Sequence, residues 1–129
     1  MATPTPTVFK LVDRTSWAAA SPAGSFDGSA ADARDGFLHF STAEQVRETA
    51  ARHFAGQSNL LLVAVSAAAL GDALRWEPSR GGALFPHLYA ALPLEAVQWV
   101  ADVGLDAAGR HVFPERLSHA GRPDQPDRT

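Results

Sequence analysis

Asp35-Gly36-Phe37-Leu38-His39-Phe40-Ser41-Thr42-Ala43-Glu44 reads as a short buried strand that carries an imidazole at its end and runs straight into a helix. Ser41 and Glu44 have the spacing of a capping box, in which the Ser41 hydroxyl accepts from the Glu44 amide and the Glu44 carboxylate reaches back to the Ser41 amide. A strand end meeting a helix start gathers unpaired amides, a partial positive field and a titratable ring in one corner. Strand alternation places Phe37 and His39 on one face and Leu38 and Phe40 on the other.

Residues 42–54 carry a helical stripe of Ala43, Val46, Ala50 and Phe54, with Glu44, Arg47, Glu48 and Arg52 on the opposite side and Gly56 as the expected C′ residue. Residues 60–65, Leu-Leu-Leu-Val-Ala-Val, show no alternation, which predicts a central strand covered on both faces. On the N-terminal side, residues 8–12 read as the first strand, followed by Asp13 as an N-cap and a short helix over 17–20. Residues 21–35 are rich in Gly, Ser, Ala and Asp around a lone Phe26, and read as a long surface loop with a binding or lid role.

Beyond the central strand, residues 66–70 predict one helical turn stopped by Gly71, and 74–77 a half-buried strand. A turn over 78–82 leads to an extended path over 84–89 around Pro86. Pro93 fits N1 of a short turn through Ala96. Residues 97–103 alternate as a strand, and a turn at 106–109 leads to a last strand over 111–113. The fold class is α+β, a single domain over residues 8–117 with one main helix; residues 1–7 read as a flexible N-terminus and 118–129 as a disordered tail.

With 129 residues, 46% of them hydrophobic, the chain is long enough to bury a core. It has no cysteine, so disulfides, a thiolate nucleophile and thiolate metal sites are all excluded. The net charge is −3 and the basic residues are scattered, which argues against DNA or RNA as a partner, since such proteins concentrate cations on one face. The longest apolar run is far shorter than the ~20 residues a membrane helix needs. The first seven residues lack the pattern of a signal peptide, so the expected location is cytoplasmic.

His39 is the first candidate for chemistry: either a core histidine satisfied by a carbonyl, or a group aimed into a cleft flanked by the hydroxyls of Ser41 and Thr42. The second cluster is Glu77, Arg80, Gly81, Gly82, His87 and Tyr89, a dense polar set in an apolar segment. Its alternatives are a surface pairing of Glu77 with Arg75 or Arg80, and a core Tyr89 with a wet hydroxyl. Lys10, the sole lysine, sits in mid-strand and either snorkels from a sheet edge or binds an anion. His53 reads as a structural group at a helix end. No metal-ligand spacing, nucleophile elbow, Walker loop or dinucleotide fingerprint is present.

These segments resemble a bacterial and plant family catalogued as domain of unknown function 952. The shared features are an early Phe-Lys-Leu strand, residues 35–43, Leu74-Arg75-Trp76-Glu77, and Phe85-Pro86-His87-Leu88-Tyr89 before Leu92-Pro93-Leu94. The resemblance implies an ADP-ribosyltransferase-like fold, two small splayed sheets around a cleft that takes NAD in active relatives. It also implies a more distant similarity to RNA 2′-phosphotransferases, carried by His39-Phe40-Ser41, the following helix and the aliphatic strand.

On that basis the function is binding of NAD or another nucleotide in a polar cleft, with glycosyl, ADP-ribosyl or phosphoryl-group transfer. The alternative is a non-catalytic module for a small anion or nucleotide. Glu77 and His39 are then the catalytic pair. Lys10, Ser41, Thr42, Arg80, His87 and Tyr89 bind ligand, and no metal is involved. The chain departs from the superfamily in carrying Lys10 where a His or Arg is usual, and in lacking its terminal glutamate motif.

Overall fold

The computed structural model describes residues 7–119 except 21, 23 and 29; at 30, 31, 80, 118 and 119 it describes the backbone alone. The expectations for residues 1–6 and 120–129 lie outside the described residues. Among the described residues no helix is long and apolar enough to cross a membrane.

The fold is mixed α and β, with antiparallel strand pairing throughout the described sheets. Strands β1 (Thr7–Asp13), β4 (Leu60–Ser66), β8 (Val97–Leu105) and β9 (His111–Val112) form one sheet in the order β1-β4-β8-β9. A second sheet has the order β3-β6-β5, from Leu38–His39, Leu84–Leu88 and Leu74–Pro78. A third pairs β2 (Ser25–Phe26) with β7 (Leu92–Pro93). The helices are α1 (Arg14–Ala20), α2 (Ala30–Asp35), α3 (Ala43–His53), α4 (Ala67–Leu70) and α5 (Glu115–His119).

β4 is central and covered on both sides, as its unbroken apolar run requires. Leu60, Leu62 and Ala64 pack with Phe9, Val46 and Leu117, while Val63 and Val65 pack with Val8, Phe40 and Leu88. α3 covers the first of these faces with Val46 and Ala50. Asp13 caps α1 by accepting from the Ser16 amide at 2.9 Å, so that helix begins three residues earlier than the sequence suggests.

The two larger sheets are joined at one isolated bridge, where Phe9 and Ser41 exchange backbone hydrogen bonds of 2.8 Å. That bridge corrects the expected cap. Ser41 still belongs to the strand path, and its amide is already donated to Phe9. Thr42 is therefore the N-cap: its hydroxyl accepts from Gln45 N at 3.2 Å, and the Gln45 side chain accepts from Thr42 N at 3.0 Å. The capping box is real, one residue later than Ser41 and Glu44.

Pro86 accounts for the shortness of β3. The register Leu38↔Leu88 and His39↔His87 brings Phe40 opposite Pro86, and Phe40 N donates to Pro86 O at 3.0 Å. The reciprocal bond has no donor, because proline lacks an N–H. The ladder stops there.

Four further expectations are corrected. The segment 21–35 contains β2 and α2 as well as loop; Phe26 is buried because β2 pairs with β7, 66 residues or more away in sequence. Pro93 ends β7 and is the N-cap of the 3-10 turn Leu94–Ala96 instead of its first residue. Phe54 closes α3, and Gly56, with φ +79°, serves the turn that follows. α5 continues the chain past Leu117, whose buried side chain joins the core against α3.

Candidate functional site

His39 leaves β3 with its backbone groups pointing toward β1, the same direction as those of Ser41 two residues on. Backbone pairing to β1 does not continue to it. A side-chain ion pair takes that place: Lys10 Nζ donates to His39 O at 2.9 Å, and His39 N donates to Asp32 Oδ1 at 3.0 Å. Lys10 and Asp32 themselves meet at 2.8 Å, with side chains 5% and 2% exposed. The buried pair bridges the two sheets at this point.

Lys10 therefore does not snorkel. It shares the inward face of β1 with Val8 and Val12, and Asp32 is the counter-charge that makes its burial tolerable. Burial pulls the Lys10 ammonium below its usual range, and the attraction of Asp32 works against that pull. Gly28, at φ +110°, makes room for the carboxylate: a Cβ there would stand 2.8 Å from Asp32 Cβ.

Asp32 Oδ1 also faces His39 Nδ1 at 2.6 Å, and Asp35 Oδ2 faces Nε2 at 2.8 Å. The ring is 39% exposed, so it is not sealed in hydrocarbon. With a carboxylate at each nitrogen, the ring is a donor on both sides only as an imidazolium.

The second sheet supplies the rest. Cross-strand partners lie on one face, and the pairs His39↔His87, Arg75↔His87 and Glu77↔Phe85 put these side chains together. Leu38, Phe40 and Leu88 alternate to the other face and enter the core. Glu77 Oε1 accepts from His87 Nδ1 at 2.8 Å and from the Tyr89 hydroxyl at 2.7 Å. These two bonds hold the Glu77 carboxyl below its ordinary range, and the bond to Glu77 raises the Tyr89 phenol above its own. The Arg75 guanidinium lies 5.2 Å from the Tyr89 ring centre. Glu77 is thus paired with His87 and Tyr89, and Tyr89 is an exposed ring.

Phe37 ties the two clusters together. Its ring stacks on His87 at 4.1 Å and meets His39 at 4.7 Å and Tyr89 at 5.2 Å. The His39 and His87 rings are 5.8 Å apart. The two polar groups, far apart in sequence, are one constellation. Both imidazoles line a cavity of about 410 Å³ together with Lys10, Asp32, Asp35 and Phe85.

Other candidates fall differently. The Ser41 hydroxyl meets Thr49 Oγ1 at 3.1 Å on the cavity wall, and the Thr42 hydroxyl is occupied as a helix cap. Arg80 lies in the 3-10 turn Arg80–Gly82, and its side chain is outside the described ones. His53, in the last turn of α3, also lines the cavity. Among the described residues no group of His, Cys, Asp and Glu is arranged to hold a metal ion. Sequence reasoning missed Asp32, Asp35 and Phe37. A lone lysine inside an apolar strand was the available signal, since it demands a buried carboxylate somewhere nearby in space.

The family described as "Protein of unknown function (DUF952)" matches residues 11–100. The crystal structure of protein CC0527 from Caulobacter crescentus is similar, with a TM-score of 0.83 and 49% sequence identity over 87% of this chain and 98% of that one. The solution NMR structure of CC0527 gives a TM-score of 0.74 at 48% identity, over 90% and 97% of the two chains. No curated protein matches the sequence.

Proposed function

Given that this chain belongs to the DUF952 family, we propose that its cleft binds a nucleotide, with NAD as the candidate, and transfers the sugar-bearing group in the manner of an ADP-ribosyltransferase-like domain. One observation carries the reading. Two imidazoles, each held at Nδ1 by a carboxylate, approach to 5.8 Å on the wall of a single cavity. A volume near 410 Å³ falls within the range typical of small-molecule sites, about 300–1,000 Å³.

Displacement at the nicotinamide ribose passes through an oxocarbenium-like state, which a nearby field of carboxylates favours. Glu77, Asp32 and Asp35 surround the two imidazoles and supply that field. Beside the cavity, the exposed Tyr89 ring offers a flat face for a base or nicotinamide ring, while Phe26, Phe40 and Phe85 supply apolar lining within it. Lys10 is committed to Asp32 and His39. A pyrophosphate contact therefore falls to Arg34, which lines the cavity and is largely exposed.

A non-catalytic nucleotide or anion sensor is the second reading. It is favoured by the engagement of Glu77 Oε1 with both His87 and Tyr89, which withholds that oxygen from a ligand. Incubation of the full chain with NAD distinguishes the two. Nicotinamide release, with a rise in melting temperature on adding ADP-ribose, supports transfer. A thermal shift without release supports the sensor. If neither NAD nor any nucleotide or sugar phosphate shifts the melting temperature, both readings fall.

A further inference from the structure

Resting on the transfer reading above, we infer that His87 is the group that takes the proton from the acceptor hydroxyl, and that Glu77 positions it. The sequence puts forward Glu77 and His39 as the catalytic pair; the proton transfer falls to His87 instead. The two imidazoles are held in opposite ways. His39 has a carboxylate oxygen at each ring nitrogen, 2.6 and 2.8 Å away, so neither nitrogen is free to face a substrate hydroxyl. His87 has one, Glu77 Oε1 at Nδ1, 2.8 Å away.

A carboxylate only accepts, so the neutral His87 ring keeps its hydrogen on Nδ1 and presents a lone pair at Nε2. The ring lines the cavity, and among the described residues its one hydrogen bond is the Nδ1 contact with Glu77, so Nε2 is the nitrogen left to meet a ligand there. Two further contacts restrain the arrangement. The Tyr89 hydroxyl pins the same carboxylate oxygen at 2.7 Å, and Phe37 stacks flat on the imidazole at 4.1 Å. This is the orienting logic of a carboxylate behind a histidine base.

The substrate class follows from an acceptor nitrogen facing the cavity: a hydroxyl compound, water or an alcohol, attacking a nucleotide glycosyl donor. The hydroxyl oxygen forms a bond to the anomeric carbon while the carbon–nitrogen bond to nicotinamide breaks. The bonding pair leaves with neutral nicotinamide, and the hydroxyl proton passes to His87 Nε2.

Two measurements on the full chain test this. Nitrogen NMR of the imidazoles shows His87 with an unprotonated Nε2 in the wild type, and loss of that tautomer preference in Glu77→Gln. A protonated Nε2 in the neutral wild-type ring overturns the inference whatever the activity. In the NAD assay, His87→Ala lowers kcat by about 100-fold or more with KM for NAD little changed. Glu77→Gln lowers kcat less, again at constant KM. His87→Gln serves if the alanine variant does not melt cooperatively. Nicotinamide release at wild-type kcat in both His87 variants overturns the assignment of the base and leaves the transfer reading standing. Absence of release from the wild type overturns both.

Discussion

Oδ1 of Asp32 lies 3.0 Å from the backbone nitrogen of His39 and 2.6 Å from its ring Nδ1, so one buried oxygen sets both the chain path and the ring orientation. The other oxygen of the same carboxylate holds Lys10. Asp32 thus joins the backbone, the ring and the lysine that also holds the His39 carbonyl.

Removing one partner of that pair leaves an uncompensated charge in a dry setting. Asp32→Leu and Lys10→Met are each expected to destabilise by about 3–5 kcal/mol, and the Lys10→Met, Asp32→Leu double variant by less than the sum. Denaturant unfolding of the three proteins measures this. Additive losses in the cycle would show that the two side chains do not depend on each other.

Tyr89 is the only tyrosine, so the near-ultraviolet absorbance of the phenolate reports on it alone. Its titration midpoint is expected above the ordinary 10.0, because only the protonated hydroxyl can donate to Glu77, and ionisation would also put a negative oxygen against that carboxylate. In Glu77→Gln the midpoint returns toward 10.0. An unchanged midpoint in that variant would mean the hydroxyl is not bonded to Glu77.

Glu77 also gives stability an acid dependence. Its folded-state value is depressed from 4.5, so its contribution is present above that value and is lost as pH falls through the lowered one. Wild-type stability should therefore decline more steeply than that of Glu77→Gln on acidification below about 4.5, as seen in melting temperature against pH. Parallel curves would remove Glu77 from the linkage.

The position of the helix cap is testable directly. Thr42→Ala is expected to lose about 0.5–2 kcal/mol, while Glu44→Ala leaves stability nearly unchanged. Equilibrium unfolding compares them. A larger loss at Glu44 would restore the earlier capping register.

The parts of the fold that were legible before any coordinates are those decided locally. The aliphatic run at 60–65 could only be a covered strand, and the stripe through Val46 and Ala50 could only be a helix packed on it. His39 and the 77–89 segment stood out because polar groups are rare in such apolar surroundings. What escaped was decided by distant partners. α2 has three alanines, two aspartates and Arg34, with no apolar stripe, and Asp32 is buried because Lys10 lies opposite, not because of its own neighbours. Ser41 and Thr42 both had capping chemistry; only the bridge to Phe9 chose between them.

The missing amide hydrogen of Pro86 has a consequence for how far β3 and β6 can pair. Weak contacts can be broken and remade, but an imino acid never acquires a proton to donate. The zip between β3 and β6 is thereby stopped at the same rung in every molecule, at any acidity and with or without a ligand. That rung lies in the core, where Phe40 and Pro86 are both almost fully buried, so the end of the β3–β6 pairing is fixed by covalent structure in a way no balance of side-chain attractions could guarantee.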